Sequence, residues 1–183
     1  VKALAGNIKL ASDATVVSAL LDVTQLDYSP GSLFATAFGG SILNNTAIQG
    51  SANIQGGAGL ILPSTAGNVA LLAQNDINAG VAMSDYVPAL LPTALNPVPD
   101  ISKPSIAGID PRFGGSNAHA PIPVHRGNSS PVRLVAKLGN ISGAFTLAKK
   151  VIVSSGRDIK DLALDFQHAN LEGDISTISA GRD

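Results

Sequence analysis

His119 and His125 stand six residues apart with Asp110 and Arg112 nearby in the chain, a cluster that raises metal binding or acid–base chemistry. Zinc requires three or four rigidly held ligands, and this chain has no cysteine to complete such a set. Two histidines among prolines therefore read as solvated loop residues. His168, among Asp165, Gln167 and Asn170, reads as part of an exposed turn. A second cluster is acidic: Asp158, Asp161, Asp165, Glu172 and Asp174. Enzymes built on stacked β-coils gather such acids from neighbouring coils to hold a metal or share acid–base work. Asp158, however, ends a Gly156-Arg157-Asp158 step that recurs at Gly181-Arg182-Asp183, where Asp can accept backbone N–H bonds and pair with Arg. A structural turn is the preferred reading. Gly56, Gly57 and Gly59 lack the spacing and the following helix of a dinucleotide loop, and lack the Asp of a calcium-binding nonapeptide. Asn44, Asn128 and Asn140 open N-x-S/T sequons, a short pattern that also arises by chance. These residues assign no catalytic, cofactor or metal site.

The elements around them follow from composition. The chain has 183 residues and a formal net charge of -1, so it offers no electrostatic footprint for nucleic acid or an anionic membrane. Apolar residues make up 45% but aromatics only 4%, which leaves an aliphatic interior suited to a narrow, regular core. No apolar run approaches the ~18 residues of a membrane-spanning helix, and no membrane insertion is expected. Glycine, Asn and Asp punctuate short apolar runs in recurring wording. "GNIKLAS" starts at Gly6, "GNVALLAQNDI" at Gly67, "SSGRDI" at Ser154 and "GDISTISAGRD" at Gly173. The last two superpose Ser154 on Ser179 and Asp158 on Asp183, while the interval from Gly6 to Gly67 suggests three units of ~20 residues. Val132, Leu134, Ala136 and Leu138 alternate with Arg133, Val135 and Lys137, and Leu162, Leu164 and Phe166 with Ala163, Asp165 and Gln167. Alternation of this kind is that of strands with one buried face. Short strands, frequent turns and an aliphatic interior predict an all-β chain, a β-solenoid. Asp13 can instead cap a helix carrying Val16, Val17, Leu20, Leu21 and Val23.

Residues 84–131 differ in kind, holding nine of the eleven prolines. Each proline lacks a backbone donor and restrains its predecessor, so the stretch predicts a loop that leaves the stack and returns. The organisation expected is one domain: coils over 1–83, a Pro-rich extended loop over 84–131, and coils again over 132–183. The apolar residues Ala89, Leu90, Leu91, Leu95, Val98 and Ile101 predict that part of the loop lies on the solenoid flank. The tip "FGGSNAHAPIPVHRGNSS", with Phe113, His119, His125 and Arg126, is then the expected partner contact.

The segments "GGAGLILPSTAGNVALLAQNDINAGVAMSDYVPALLP", "HRGNSSPVRLVAKLGNISG", "KKVIVSSGRDIKDLAL" and "GDISTISAGRD" occur in that order. Over residues 40–183 this wording resembles the filamentous haemagglutinin-like exoproteins of Gram-negative two-partner secretion, in a downstream segment of the larger members. Residues 1–39 match only in style. The resemblance implies a right-handed parallel β-helix, export through a dedicated outer-membrane transporter, and a secreted or cell-surface rod that meets a host or neighbouring-cell receptor. It brings no catalytic residues. The reading it favours is a non-enzymatic shaft segment of an adhesin. A carrier stick for a contact-dependent toxin and a polysaccharide-active β-helix enzyme are the alternatives. The chain reads as an excised piece of something longer.

Overall fold

A computed structural model describes residues 1–10, 28–29, 31–43, 58–61, 64–83, 125–168 and 172–182. Among them are thirteen strands and no helix. One sheet holds, side by side, β1 (Lys2–Ala3), β4 (Ser32–Ala37), β7 (Asn68–Ala73), β9 (Val132–Ala136), β11 (Val151–Ser155) and β13 (Thr177–Ala180). The other holds β2 (Ile8–Lys9), β5 (Ile42–Leu43), β8 (Ile77–Met83), β10 (Ile141–Leu147) and β12 (Ile159–Phe166). β3 (Tyr28–Ser29) joins β6 (Ala58–Ile61), which joins β8. Every strand pair is parallel, and the chain passes back and forth between the sheets. The described residues are all-β with parallel sheets, an arrangement compatible with a β-helix. The helix allowed over Asp13 to Val23 falls outside the described residues.

Parallel register stacks like on like. Ile8, Ile42, Ile77, Ile141 and Ile159 form one column through the second sheet. In the first sheet Leu71, Leu134 and Val153 stack beneath Ile178, and Ala3, Ala37, Ala73, Ala136 and Ser155 beneath Ala180. β-branched and aliphatic side chains suit such columns because each fills the pleat above the one below. Ile42, Ile77, Ile141, Leu71, Leu134 and Val153 are all fully buried. At about 1.5–3 kcal/mol per large aliphatic removed from water, these columns supply the main stabilisation.

The register also fixes the true repeat lengths. Equivalent positions in successive coils lie 34, 35, 64 and 18 residues apart, read at Asn7, Ser41, Asp76, Asn140 and Asp158. Only the last is near the ~20 expected of a solenoid unit. Gly6 and Gly67 are not equivalent: Gly40 packs on Gly6 at one corner and Gly67 on Gly31 at the other. Both approaches leave no room for a Cβ. The Ser154/Ser179 superposition is found in the register of β11 with β13. Leu138 is a correction, since β9 ends at Ala136 and Leu138 is 56% exposed in the turn after it. β12 carries a bulge: pairing slips between Ile141 and Gly143, with Asp161 at φ 48°. Opposite it Gly143 takes φ 120° hard against the Ala79 carbonyl, a conformation and a space that only glycine fits. Among the described residues the strand that follows β8, which ends at Met83, is β9, which begins at Val132; of the Pro-rich stretch between them only residues 125–131 are described.

Candidate functional site

Two corners join the sheets, and each gathers polar residues. At the first, a short polar side chain directly precedes each isoleucine of the Ile column, and its oxygen accepts the backbone N–H of the matching residue one coil on. Ser41 N–H donates to Asn7 Oδ1 at 2.8 Å, Asp76 N–H to Ser41 Oγ at 3.1 Å, Asn140 N–H to Asp76 Oδ1 at 2.8 Å, and Asp158 N–H to Asn140 Oδ1 at 3.1 Å. Asn, Ser and Asp are suited to this because their short side chains place an oxygen one strand spacing away. Backbone bonds run alongside: Ile42 N–H to Asp76 O and Ile77 N–H to Asn140 O, both 2.9 Å.

Asp158 ends this ladder differently. Arg182 grips its carboxylate bidentately, Nε to Oδ1 at 2.8 Å and Nη2 to Oδ2 at 2.7 Å, and Lys160 Nζ lies 3.0 Å from Oδ2. The Arg182 bonds first, then Lys160, hold the Asp158 carboxyl well below the usual carboxylate range, and the same contact raises Arg182. Ser155 Oγ lies 2.8 Å from Gly139 O and 2.9 Å from Asp158 O and locks the turn beneath. A carboxylate ionised and occupied in this way is a poor general base.

The second corner holds a buried amine that sequence reasoning missed. Lys149 is 1% exposed and donates from Nζ to Gly67 O at 3.1 Å. Burial lowers its pKa to about 8; Asp174 opposes the shift and Lys150 adds to it. Lys150 pairs with Asp174 at 3.1 Å. His125 is fully buried, with Nε2 against Gly67. Asn128 follows, its Nδ2 3.3 Å from Thr65 O. The sequence signal available was the Lys149-Lys150 pair entering an apolar strand, where one lysine must point inward.

Of the expected contact residues, Phe113 and His119 lie outside the described residues. His125 is a correction: it is neither solvated nor at a tip, because the chain returning to β9 packs it under the Gly67 corner. Arg126 is exposed. His168 shares a 3.0 Å bond with Ser176, and its ring lies tilted against that of Phe166 with centroids 5.6 Å apart. The acids do not converge: Asp161 sits in the bulge, Asp174 pairs with Lys150, and Asp158 with Arg182. Among the described residues no group of three or more His, Cys, Asp or Glu is placed to hold a metal ion. Of the sequons, Asn140 spends its side-chain oxygen on Asp158 N–H, and Asn44 lies outside the described residues. At both corners the described polar side chains tie one strand to the next across the stack. Comparison with protein-family models, with curated proteins and with solved structures finds no match to the chain.

Proposed function

We propose that this chain is a non-enzymatic shaft segment of a secreted or surface-exposed filamentous haemagglutinin-like adhesin, folded as a right-handed parallel β-helix. The observation that carries the reading is the register: one isoleucine column and one hydrogen-bonded polar column run through five successive coils, although the chain between them varies from 18 to 64 residues. Selection for a constant cross-section at variable coil length suits a rod, whose task is reach. The two corners support the non-enzymatic part, since Asp158 is engaged by two cations and Lys149 is closed off from any substrate. Low charge and absent cysteine suit passage as an unfolded chain through an outer-membrane two-partner secretion transporter, with folding outside. Antibodies against residues 125–182 should label intact cells of the source bacterium, and labelling should vanish when its two-partner transporter is deleted. Retention inside cells that carry the transporter sinks the surface reading. Turnover of acidic or neutral polysaccharides, lost in Asp158→Asn, sinks the non-enzymatic one.

A further inference from the structure

The fold separates sequons that look alike in the sequence. A glycan is bulky and needs an acceptor asparagine at the surface, with the hydroxyl residue two positions on in the same accessible stretch. Asn140 fails on both counts. Its Oδ1 accepts Asp158 N–H at 3.1 Å, Ile141 after it is fully buried, and Ser142 lies in β10, which is paired with β8 on one side and β12 on the other. Modifying it would mean pulling a strand out of the second sheet. Asn44 lies outside the described residues.

Asn128 is held differently. It sits half-buried just ahead of β9, with exposed Arg126 and Gly127 on one side and exposed Ser129 and Ser130 on the other. Gly127 takes φ 87°, and the space where its Cβ would stand is open. Asn128 N–H donates to His125 O at 2.9 Å, and Asn128 Oδ1 accepts Ser130 N–H at 3.1 Å. The second bond closes a turn that brings the side-chain amide and Ser130 together. Donation into Oδ1 also polarises the amide, which makes an Nδ2 proton easier to remove. The amide nitrogen carries two N–H groups, and one serves Thr65 O at 3.3 Å. A substituted nitrogen keeps one N–H, so a sugar here leaves the Thr65 contact in place.

We propose that Asn128 is an N-glycosylation site, modified at Nδ2 by a transferase that draws on a glycosyl diphosphate. The donor is a sugar carried on a nucleoside diphosphate or on a lipid diphosphate, and the chemistry at the asparagine is the same for both. Nδ2 attacks C1 of the sugar, the bond from C1 to the diphosphate oxygen breaks, and the diphosphate leaves with the electron pair. The Nδ2 proton passes to a base of the transferase. Nothing is oxidised or reduced, and the product is a secondary amide. Asn140, whose oxygen is committed to the polar ladder, stays unmodified in the folded chain. The proposal rests on the sequon and its turn and not on the surface-shaft reading.

Mass spectrometry of the protein purified from the cells that make it tests this. Trypsin separates the two sequons, cutting after Arg126 and Arg133 around Asn128 and after Lys137 and Lys149 around Asn140. Peptide 127–133 should carry sugar mass, placed on Asn128 by electron-transfer fragmentation, and peptide 138–149 should carry none. A single sugar identifies a nucleoside diphosphate donor, and a preassembled glycan a lipid-linked one. Ser130→Ala keeps the backbone N–H, and with it the turn, but removes the sequon hydroxyl, so the modification should be lost. Ser129→Ala should retain it, and circular dichroism of both variants should match the parent. An unmodified peptide 127–133, a sugar on Ser129 or Ser130 in place of Asn128, or equal modification at Asn140 would overturn the proposal.

Discussion

Replacing Asp76 by alanine tests whether the polar ladder holds coils together or merely decorates them. Asp76 Oδ1 accepts Asn140 N–H at 2.8 Å, and this bond spans the longest interval in the polar ladder, 64 residues of chain. The alanine leaves that N–H beside a methyl group at a partly buried corner. The cost of an orphaned backbone donor is about 1–2 kcal/mol, the lower part applying where water can enter. Asp76 N–H keeps its own acceptor, Ser41 Oγ, so the loss is confined to one junction. With a urea dependence of about 2 kcal/mol/M, the unfolding midpoint should fall by about 0.5–1 M. Asp76→Asn keeps the oxygen, drops the charge, and should stay near the parent. The reasoning is refuted if Asp76→Asn falls as far as Asp76→Ala, because charge would then matter rather than the acceptor. It is refuted equally if Asp76→Ala leaves the midpoint unmoved.

Three further outcomes follow from the same geometry. Gly143→Ala should destabilise by about 1–3 kcal/mol, since it meets the Ala79 carbonyl and must hold φ 120°; thermal unfolding checks it, and a neutral result removes the strain account. Asp158 is depressed in the folded state, so it contributes stability above its unfolded pKa near 4 that is lost as pH falls through and below that value. Amide exchange in β13 should accelerate there, and Asp158→Asn should abolish the pH dependence while lowering protection at neutral pH. Lys149 titrates in the opposite sense to a paired lysine: folded near 8 and unfolded near 10.5, it binds fewer protons folded, so stability should rise between those values as pH increases. Lys149→Met should flatten that rise, and a side-chain NMR titration midpoint near 10.5 would contradict the burial.

The strands themselves were legible, because alternation at Val132, Leu134 and Ala136 is set by one buried face and needs no tertiary information. The column register was legible only where wording repeats, as between Ser154 and Ser179. Elsewhere the signal was a weaker one, Asn, Ser or Asp placed before isoleucine at positions 7, 41, 76, 140 and 158. Unequal coil lengths hid it from any search for a fixed period. Leu138 continued the alternation in sequence but not in space, since a turn ends the strand two residues earlier. His125 was misplaced for a related reason: a histidine beside prolines looks solvated until the returning chain is seen to pack beneath Gly67. Lys149 was overlooked because burial of one lysine from an adjacent pair depends on a carbonyl that lies 82 residues away in the chain.

The two corners differ in a way that explains how connections of unequal length keep one strand register. From the first sheet to the second the connection is always three or four residues, as between Ala37 and Ile42, Ala73 and Ile77, Ala136 and Ile141, or Ser155 and Ile159. Each of these turns is pinned by a side-chain oxygen to the next coil, so an added residue would break the bond above and the bond below. On the return from the second sheet to the first no such uninterrupted ladder is found among the described residues, and there the chain runs from three residues, between Leu147 and Val151, to the 48 between Met83 and Val132. Loop closure penalises that difference only logarithmically, while a misplaced interior column would forfeit contacts in every coil it crosses. The polar corner therefore acts as the spine that sets register, and the opposite corner absorbs the variation. His125, Asn128 and Lys149 at the Gly67 corner mark where the chain ahead of β9 rejoins the first sheet.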